Sequence, residues 1–246
     1  MQQRRQRGRV GDKAEAGCFV RFWQNAALIT GTPAAGAGPL RLWLGEGFAV
    51  LLYDNDISGN CYKVRLLLTQ LEIPFERRQL SVFDRSDRSA VLGEFNPALR
   101  VPTLVLGDGR PLAESNAILC YLARGTSMLP GEPYEQAQTM QWLFFEQYSH
   151  EPNIAVARFW AHAGIAPSDG DRDRTTTGGQ AALAAMERHL DSREFFVADR
   201  YTIADIALYA YTHVAPEGGF ALDPYPALRA WLERVASEPG HIAITA

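Results

Sequence analysis

Cysteine is scarce: Cys18, Cys61 and Cys120 stand far apart in 246 residues, with no C-x-x-C pair and no Cys/His cluster. That odd, scattered set argues against a disulfide framework and against a structural zinc site. Of the five histidines, His150, His162, His189, His213 and His241, no two lie three or four residues apart. No helix face therefore offers two imidazoles to one ion, and no metal is expected. Long apolar runs are missing too. Nothing approaches the roughly 18 uninterrupted apolar residues that a bilayer-spanning helix needs, so no membrane association is expected. Nor is there a basic excess: 24 Lys and Arg against 28 Asp and Glu leave a net charge of -4, a field that attracts neither nucleic acid nor anionic lipid. What is there, 47% hydrophobic and 21% charged residues, is ordinary soluble globular composition. The length leaves room for one large domain or two small ones.

Residues 1–46 differ from the rest. Arg4, Arg5, Arg7 and Arg9 open the chain, and Gly31, Pro33, Gly36, Gly38 and Pro39 follow among alanines. A secretory signal is a poor match, because Arg21 and Gln24 interrupt the apolar stretch from Phe19 to Ile29 and Asp12 and Glu15 sit in the charged region. The segment is expected to be an extension without a fold of its own.

Periodic structure begins near Phe48. The run Phe48 to Tyr53, stopped by Asp54-Asn55-Asp56, predicts a buried strand. Val64, Leu67, Leu68 and Leu71 then fall at the spacing of an amphipathic helix. Glu76 to Leu80 predicts a second strand, and a polar, partly helical stretch leads to Phe95. Thr103 to Leu106 and Arg110 to Ala113 flank Gly107-Asp108-Gly109, a hairpin signal. A helix is expected from Ser115 to Ala123. The order β-α-β-α-β-β-α describes a small mixed sheet with helices packed on it.

Two glycines and two prolines between Gly125 and Pro133 mark a linker, and beyond them no strand pattern appears. Tyr134 to His150 predicts a long aromatic-rich helix that Pro152 kinks or ends. Pro167 to Gly170 and Gly178-Gly179 are expected to bracket a loop before a helix over Ala181 to Leu190. Thr202 and Asp205 form a capping box with Tyr201 and Ile206 at the staple positions, and a last helix runs from Tyr225 to Ser237. The second half is expected to be all helical.

Four local motifs carry a resemblance: Ser58-Gly59-Asn60-Cys61-Tyr62-Lys63-Val64-Arg65 after the first strand, Asn96 to Thr103 before the third, Glu114 to Ile118 at the third helix, and Thr202 to Asp205 in the helical half. In this order and spacing they resemble the fingerprints of the glutathione S-transferase superfamily, specifically its bacterial members with a Ser-x-Asn motif. The resemblance implies a thioredoxin-like α/β domain over residues 47–124, a linker over 125–133 and an all-helical domain over 134–246. It implies glutathione as co-substrate without a metal, a small electrophile or peroxide as second substrate, a homodimer, and a cytoplasmic, detoxifying setting. Its alternatives are a glutathione-dependent disulfide reductase and a non-catalytic scaffold that binds proteins.

By the same resemblance, Ser58 is the donor that stabilises the glutathione thiolate beside a helix N-terminus, with Asn60 as a second donor. Ser58 as a mere helix cap is the competing reading. Cys61 is the rival at the sulfur, either forming a mixed disulfide with glutathione or standing as a small buried residue. Pro102 follows a peptide bond that is cis in the family and exposes the backbone of Val101 to glutathione. Glu114 and Ser115 face the γ-glutamyl group, and Arg100 either meets the glycyl carboxylate or stays solvated. Tyr148, His150, Arg158, Phe159 and Trp160 are candidates for a pocket beside the sulfur, with a core role as the alternative.

Overall fold

The computed structural model describes residues 50–246. The expected extension, with Cys18 and the opening arginines, and the first two residues of the strand expected from Phe48 lie outside the described residues. The first half holds β1 (Val50–Asp54), α1 (Gly59–Gln70), β2 (Phe75–Gln79), α2 (Arg88–Leu92), β3 (Thr103–Val105), β4 (Pro111–Ala113) and α3 (Ser115–Leu122). The strands form one mixed sheet in the order β2-β1-β3-β4, with β1 parallel to β2 and antiparallel to β3. Because side chains alternate along a strand, Val50, Leu52 and Leu104 point to the main core. Tyr53 and Val105 point to the opposite face, where Leu80 and Leu92 cover them.

The helical half holds α4 (Pro133–Phe145), a π-helical segment (Glu146–His150), α5 (Glu151–Ala163), α6 (Asp169–Leu190), α7 (Ile203–Thr212), a 3-10 turn (Ala215–Gly218) and α8 (Pro226–Ala236). No described helix is long and apolar enough to cross a membrane. Helix starts follow the expected chemistry. Ser168 accepts the Asp171 N–H at 3.1 Å, and Pro226 opens α8, whose Ala227 and Leu228 N–H groups donate to the Glu187 carboxylate at 3.0 and 2.8 Å. The Thr202 and Asp205 capping box is complete.

Three expectations are corrected. The helix does not end at Pro152: α4 continues into α5 through the π segment, where a wider turn accommodates a residue that has no N–H to donate. Gly178-Gly179 is no loop boundary, since α6 runs straight through it. A Cβ on Gly178 would lie 2.5 Å from Asn153 Oδ1, and one on Gly179 2.3 Å from the Phe220 ring. These glycines admit neighbours rather than break the helix. Finally, α1 is not amphipathic. Cys61 to Leu68 are all buried, Lys63 and Arg65 included.

Candidate functional site

Sheet register brings three segments to one end of the sheet. Tyr53 of β1 pairs with Thr103 of β3, and Thr103 pairs with Ala113 of β4. The next residues outward are the Asn55–Ser58 loop, Val101-Pro102, and Glu114-Ser115. The Val101–Pro102 bond is cis. Behind it, buried Asn96 donates from Nδ2 to the Arg100 carbonyl and to Thr103 Oγ1, both at 2.9 Å, which fixes the turn that presents Val101. Arg100 is exposed. Glu114 is exposed as well and sits at φ 66°, and the backbone turn there lets α3 begin directly at buried Ser115.

The loop between β1 and α1 is tied down along its length. Asp54 is fully buried and bonded to Arg65 Nη1 at 2.6 Å and Arg77 Nε at 2.5 Å. Asn55 donates from its side chain to the Leu80 carbonyl at 2.9 Å and accepts the Ile57 N–H at 3.2 Å. Ser58 N donates to the Asn55 carbonyl at 3.2 Å. Ser58 then caps α1: its Oγ accepts the Cys61 N–H at 3.3 Å, while its own hydroxyl proton has no partner among the described residues. Gly59 lets the Tyr211 ring pack onto this turn, because a Cβ there would lie 2.6 Å from it, and the Tyr211 hydroxyl accepts the Asn60 N–H at 3.3 Å. Cys61 points inward. Burial, with Asp54 adding to it, pushes its thiol well above the ordinary range.

Behind this end of the sheet lies a buried polar cluster that the sequence alone did not reveal. Lys63 Nζ meets Glu146 Oε1 at 2.8 Å, both side chains fully buried, and donates to Asn60 Oδ1 at 2.8 Å and Ser115 Oγ at 3.3 Å. Ser115 Oγ donates to Asn60 Oδ1 at 3.1 Å, and Asn60 Nδ2 to Glu151 Oε1 at 3.1 Å. Asn116 completes the set through Glu146 Oε2 at 2.9 Å. Burial raises the Glu151 carboxyl above its usual range, opposed by Lys63. The one available sequence signal was the pair of cations at 63 and 65 inside an apolar helix run, since a buried charge requires a partner.

The five residues weighed as a pocket lining or as core do not gather around one space. Tyr148 is 86% exposed, and Phe159 stacks at 5.7 Å on Phe83. His150 is fully buried, 2.8 Å from Thr212 Oγ1, and stands at the N-cap position of α5 without a side-chain capping bond. Arg158 is buried on Glu217, with Nε to Oε2 at 2.7 Å. Trp160 is half-buried. Among the described residues no group of three or more His, Cys, Asp or Glu side chains could hold a metal ion.

Comparison with known proteins matches residues 57–124 to the glutathione S-transferase N-terminal domain and 153–239 to the glutathione S-transferase C-terminal domain. A crystal structure of a glutathione S-transferase from Pseudomonas fluorescens Pf-5 is 45% identical, covers 80% of this chain and 99% of its own, and superposes with a TM-score of 0.75. Glutathione S-transferase 2 of Anopheles gambiae is 30% identical over 189 residues, 74% of this chain and 88% of that protein. The disulfide-bond oxidoreductase YfcG of Escherichia coli strain K12 is 27% identical over 189 residues, with the same shares. Both domain models fall in order on the sheet half and the helical half just described, and on that agreement the chain belongs to the glutathione S-transferase family.

Proposed function

We propose that the protein is a glutathione transferase that binds glutathione across the sheet end and stabilises its thiolate for attack on a small electrophile. In conjugation the sulfur forms a bond to the electrophilic carbon as the leaving group departs with its electron pair; a peroxide oxygen is the alternative acceptor. The observation that carries this reading is Ser58. Its oxygen caps α1 and its proton has no partner among the described residues, so capping and donating to a sulfur are compatible rather than competing roles. The N-terminus of α1 adds positive partial charge at the same place.

The remaining roles belong to the same proposal. Asn60 uses one amide hydrogen on Glu151 and keeps one. Val101 offers its backbone to the cysteinyl part of glutathione, next to Pro102. The Ser115 hydroxyl gives its proton to Asn60, which leaves the backbone N–H groups of α3 for the γ-glutamyl carboxylate, with exposed Glu114 beside the ammonium and Arg100 for the glycyl carboxylate. Tyr134, Phe144 and Tyr148 expose large apolar surface along α4 and the π segment, which supports a homodimer. Cys61 and Cys120 are free thiols, as suits the reducing cytoplasm.

A second reading, glutathione-dependent disulfide reduction, is favoured by the likeness to the oxidoreductase YfcG. Cys61 is too deeply buried to carry it, so the exchange would run between glutathione and the substrate disulfide. Retention on immobilised glutathione separates either enzyme from a scaffold, and aryl halide, peroxide and disulfide substrates separate the chemistries. Ser58→Ala is expected to raise the bound thiol's pKa by about one unit, cutting the thiolate near neutral pH up to tenfold. Cys61→Ala is expected to leave turnover nearly intact. Titration of the thiolate ultraviolet band in the complex, with turnover alongside, tests both; loss of activity in Cys61→Ala alone reverses the assignment.

A further inference from the structure

Three successive carbonyls lead into Ser58, and each is held by a buried arginine. Arg65 Nη1 donates to the Asn55 carbonyl at 3.1 Å and Nη2 to the Asp56 carbonyl at 3.4 Å. The third, the Ile57 carbonyl, accepts from Arg158 Nη1. Arg65 lies on α1, the helix that Ser58 itself starts. Arg158 comes from α5 in the helical half, 101 residues away.

The Ile57 carbonyl and the Ser58 N–H belong to one peptide plane. The N–H end of that plane is tied to the Asn55 carbonyl and the carbonyl end to Arg158. A planar unit held at both ends cannot rotate, which fixes the Ser58 Cα, and the Cys61 N–H bond to Oγ then holds the hydroxyl oxygen relative to it. Arg158 is itself immobilised. Its Nε is bonded to Glu217 Oε2, and that same oxygen meets His162 Nε2 at 2.8 Å. Glu217 sits on the 3-10 turn, which approaches α5 so closely that a Cβ on Gly218 would lie 2.9 Å from Arg158 N.

From this chain of contacts we propose that Arg158 is a positioning residue that aims the Ser58 hydroxyl, so that the helical half sets the geometry of a donor carried by the sheet half. The proposal rests on the reading of Ser58 as the donor to the glutathione sulfur. Arg158 touches no substrate in this arrangement; it acts through the Ile57–Ser58 peptide. A donor displaced by a fraction of an ångström gives a weaker hydrogen bond to the sulfur while the tripeptide stays bound by other groups.

The test is a double-mutant cycle on the full chain with glutathione as the probe, reading the thiolate ultraviolet band against pH, kcat, and KM for glutathione. Arg158→Met is expected to lower kcat near neutral pH about three- to tenfold through a raised thiol pKa, with KM within about twofold of the parent. In a Ser58→Ala background the same change is expected to add less than about twofold, because the group it positions is gone. Arg158→Lys, which keeps a cation beside Glu217 but loses the planar fork, serves where Arg158→Met does not fold, and is expected to shift in the same direction. An unshifted thiol in a folded Arg158 variant overturns the proposal. So do additive effects in the cycle, which would mean that Arg158 acts through space by its charge. If Ser58→Ala alone leaves the thiol pKa unchanged, the thiolate-donor reading fails and takes this proposal with it. A shift in Ser58→Ala with none in the Arg158 variants sinks the positioning role alone.

Discussion

Acid should destabilise this protein through His150. Thr212 Oγ1 donates its one proton to the Leu208 carbonyl at 2.7 Å, so it offers the ring only lone pairs. His150 Nε2 therefore carries the hydrogen in their 2.8 Å contact, and bare Nδ1 is buried with no donor among the described residues. Burial, with the nearby Lys63 cation adding to it, pushes the His150 pKa down from 6.5 to about 3. A depressed histidine contributes stability that is fully present above the unfolded pKa and is lost as pH falls below it, since only the unfolded chain then takes up the proton. Near pH 5 the gap is about 1.5 units, a loss of about 2 kcal/mol, and the limit, reached only below pH 3, is about 5 kcal/mol. Urea denaturation of the parent and His150→Gln at about pH 7 and pH 5 isolates this contribution. Glutamine keeps an N–H for Thr212 but does not titrate. The parent should lose about 2 kcal/mol more than the variant over that interval. Parallel losses would refute the reasoning.

Removing the cation of the buried pair in Lys63→Met should cost about 3–5 kcal/mol by leaving Glu146 uncompensated, and Lys63→Met with Glu146→Leu should recover most of it; denaturant midpoints decide, and a near-neutral single variant would contradict the pairing. Gly179→Ala should cost about 1–3 kcal/mol, because its Cβ meets the buried Phe220 ring. Gly178→Ala meets only the Asn153 amide, which can move by giving up its bond to the Ser149 carbonyl, and should cost less, about 0–1 kcal/mol. Thermal melts of the two compare them directly, and equal losses would mean that packing is not why α6 carries two glycines.

Those glycines also show where sequence reading reached its limit. A Gly-Gly pair is locally a break, and only the arrival of Asn153 and Phe220 makes it a seat. Legible features were those whose cause is local: the hairpin around Gly107-Asp108-Gly109, the Thr202 and Asp205 cap, the strand halted at Asp54, and Ser58 ahead of an apolar helix. The partners of the buried cations were not legible: Lys63 and Arg65 stand out only by lying in an apolar helix run, and Arg158 resembles a solvated residue until Glu217 is known. Asn60 and Glu151 are 91 residues apart. The π segment escaped for a related reason. Pro152 forbids one hydrogen bond, but whether the chain then stops or widens its turn is decided by what Glu146 and His150 find inside.

Every residue of α7, from Ile203 to Thr212, is buried. A helix enclosed on all sides has no solvent face through which to loosen gradually. It packs against α1 and α3 of the sheet half and α4 and α8 of the helical half, and its Tyr211 hydroxyl receives the Asn60 N–H at the candidate site. Its amide protons are therefore expected to meet deuterium only when both halves open, so α7 should be among the slowest-exchanging segments in hydrogen–deuterium exchange. For the site, this means that the Ser58 turn keeps its shape through any fluctuation short of global unfolding that leaves α7 in place.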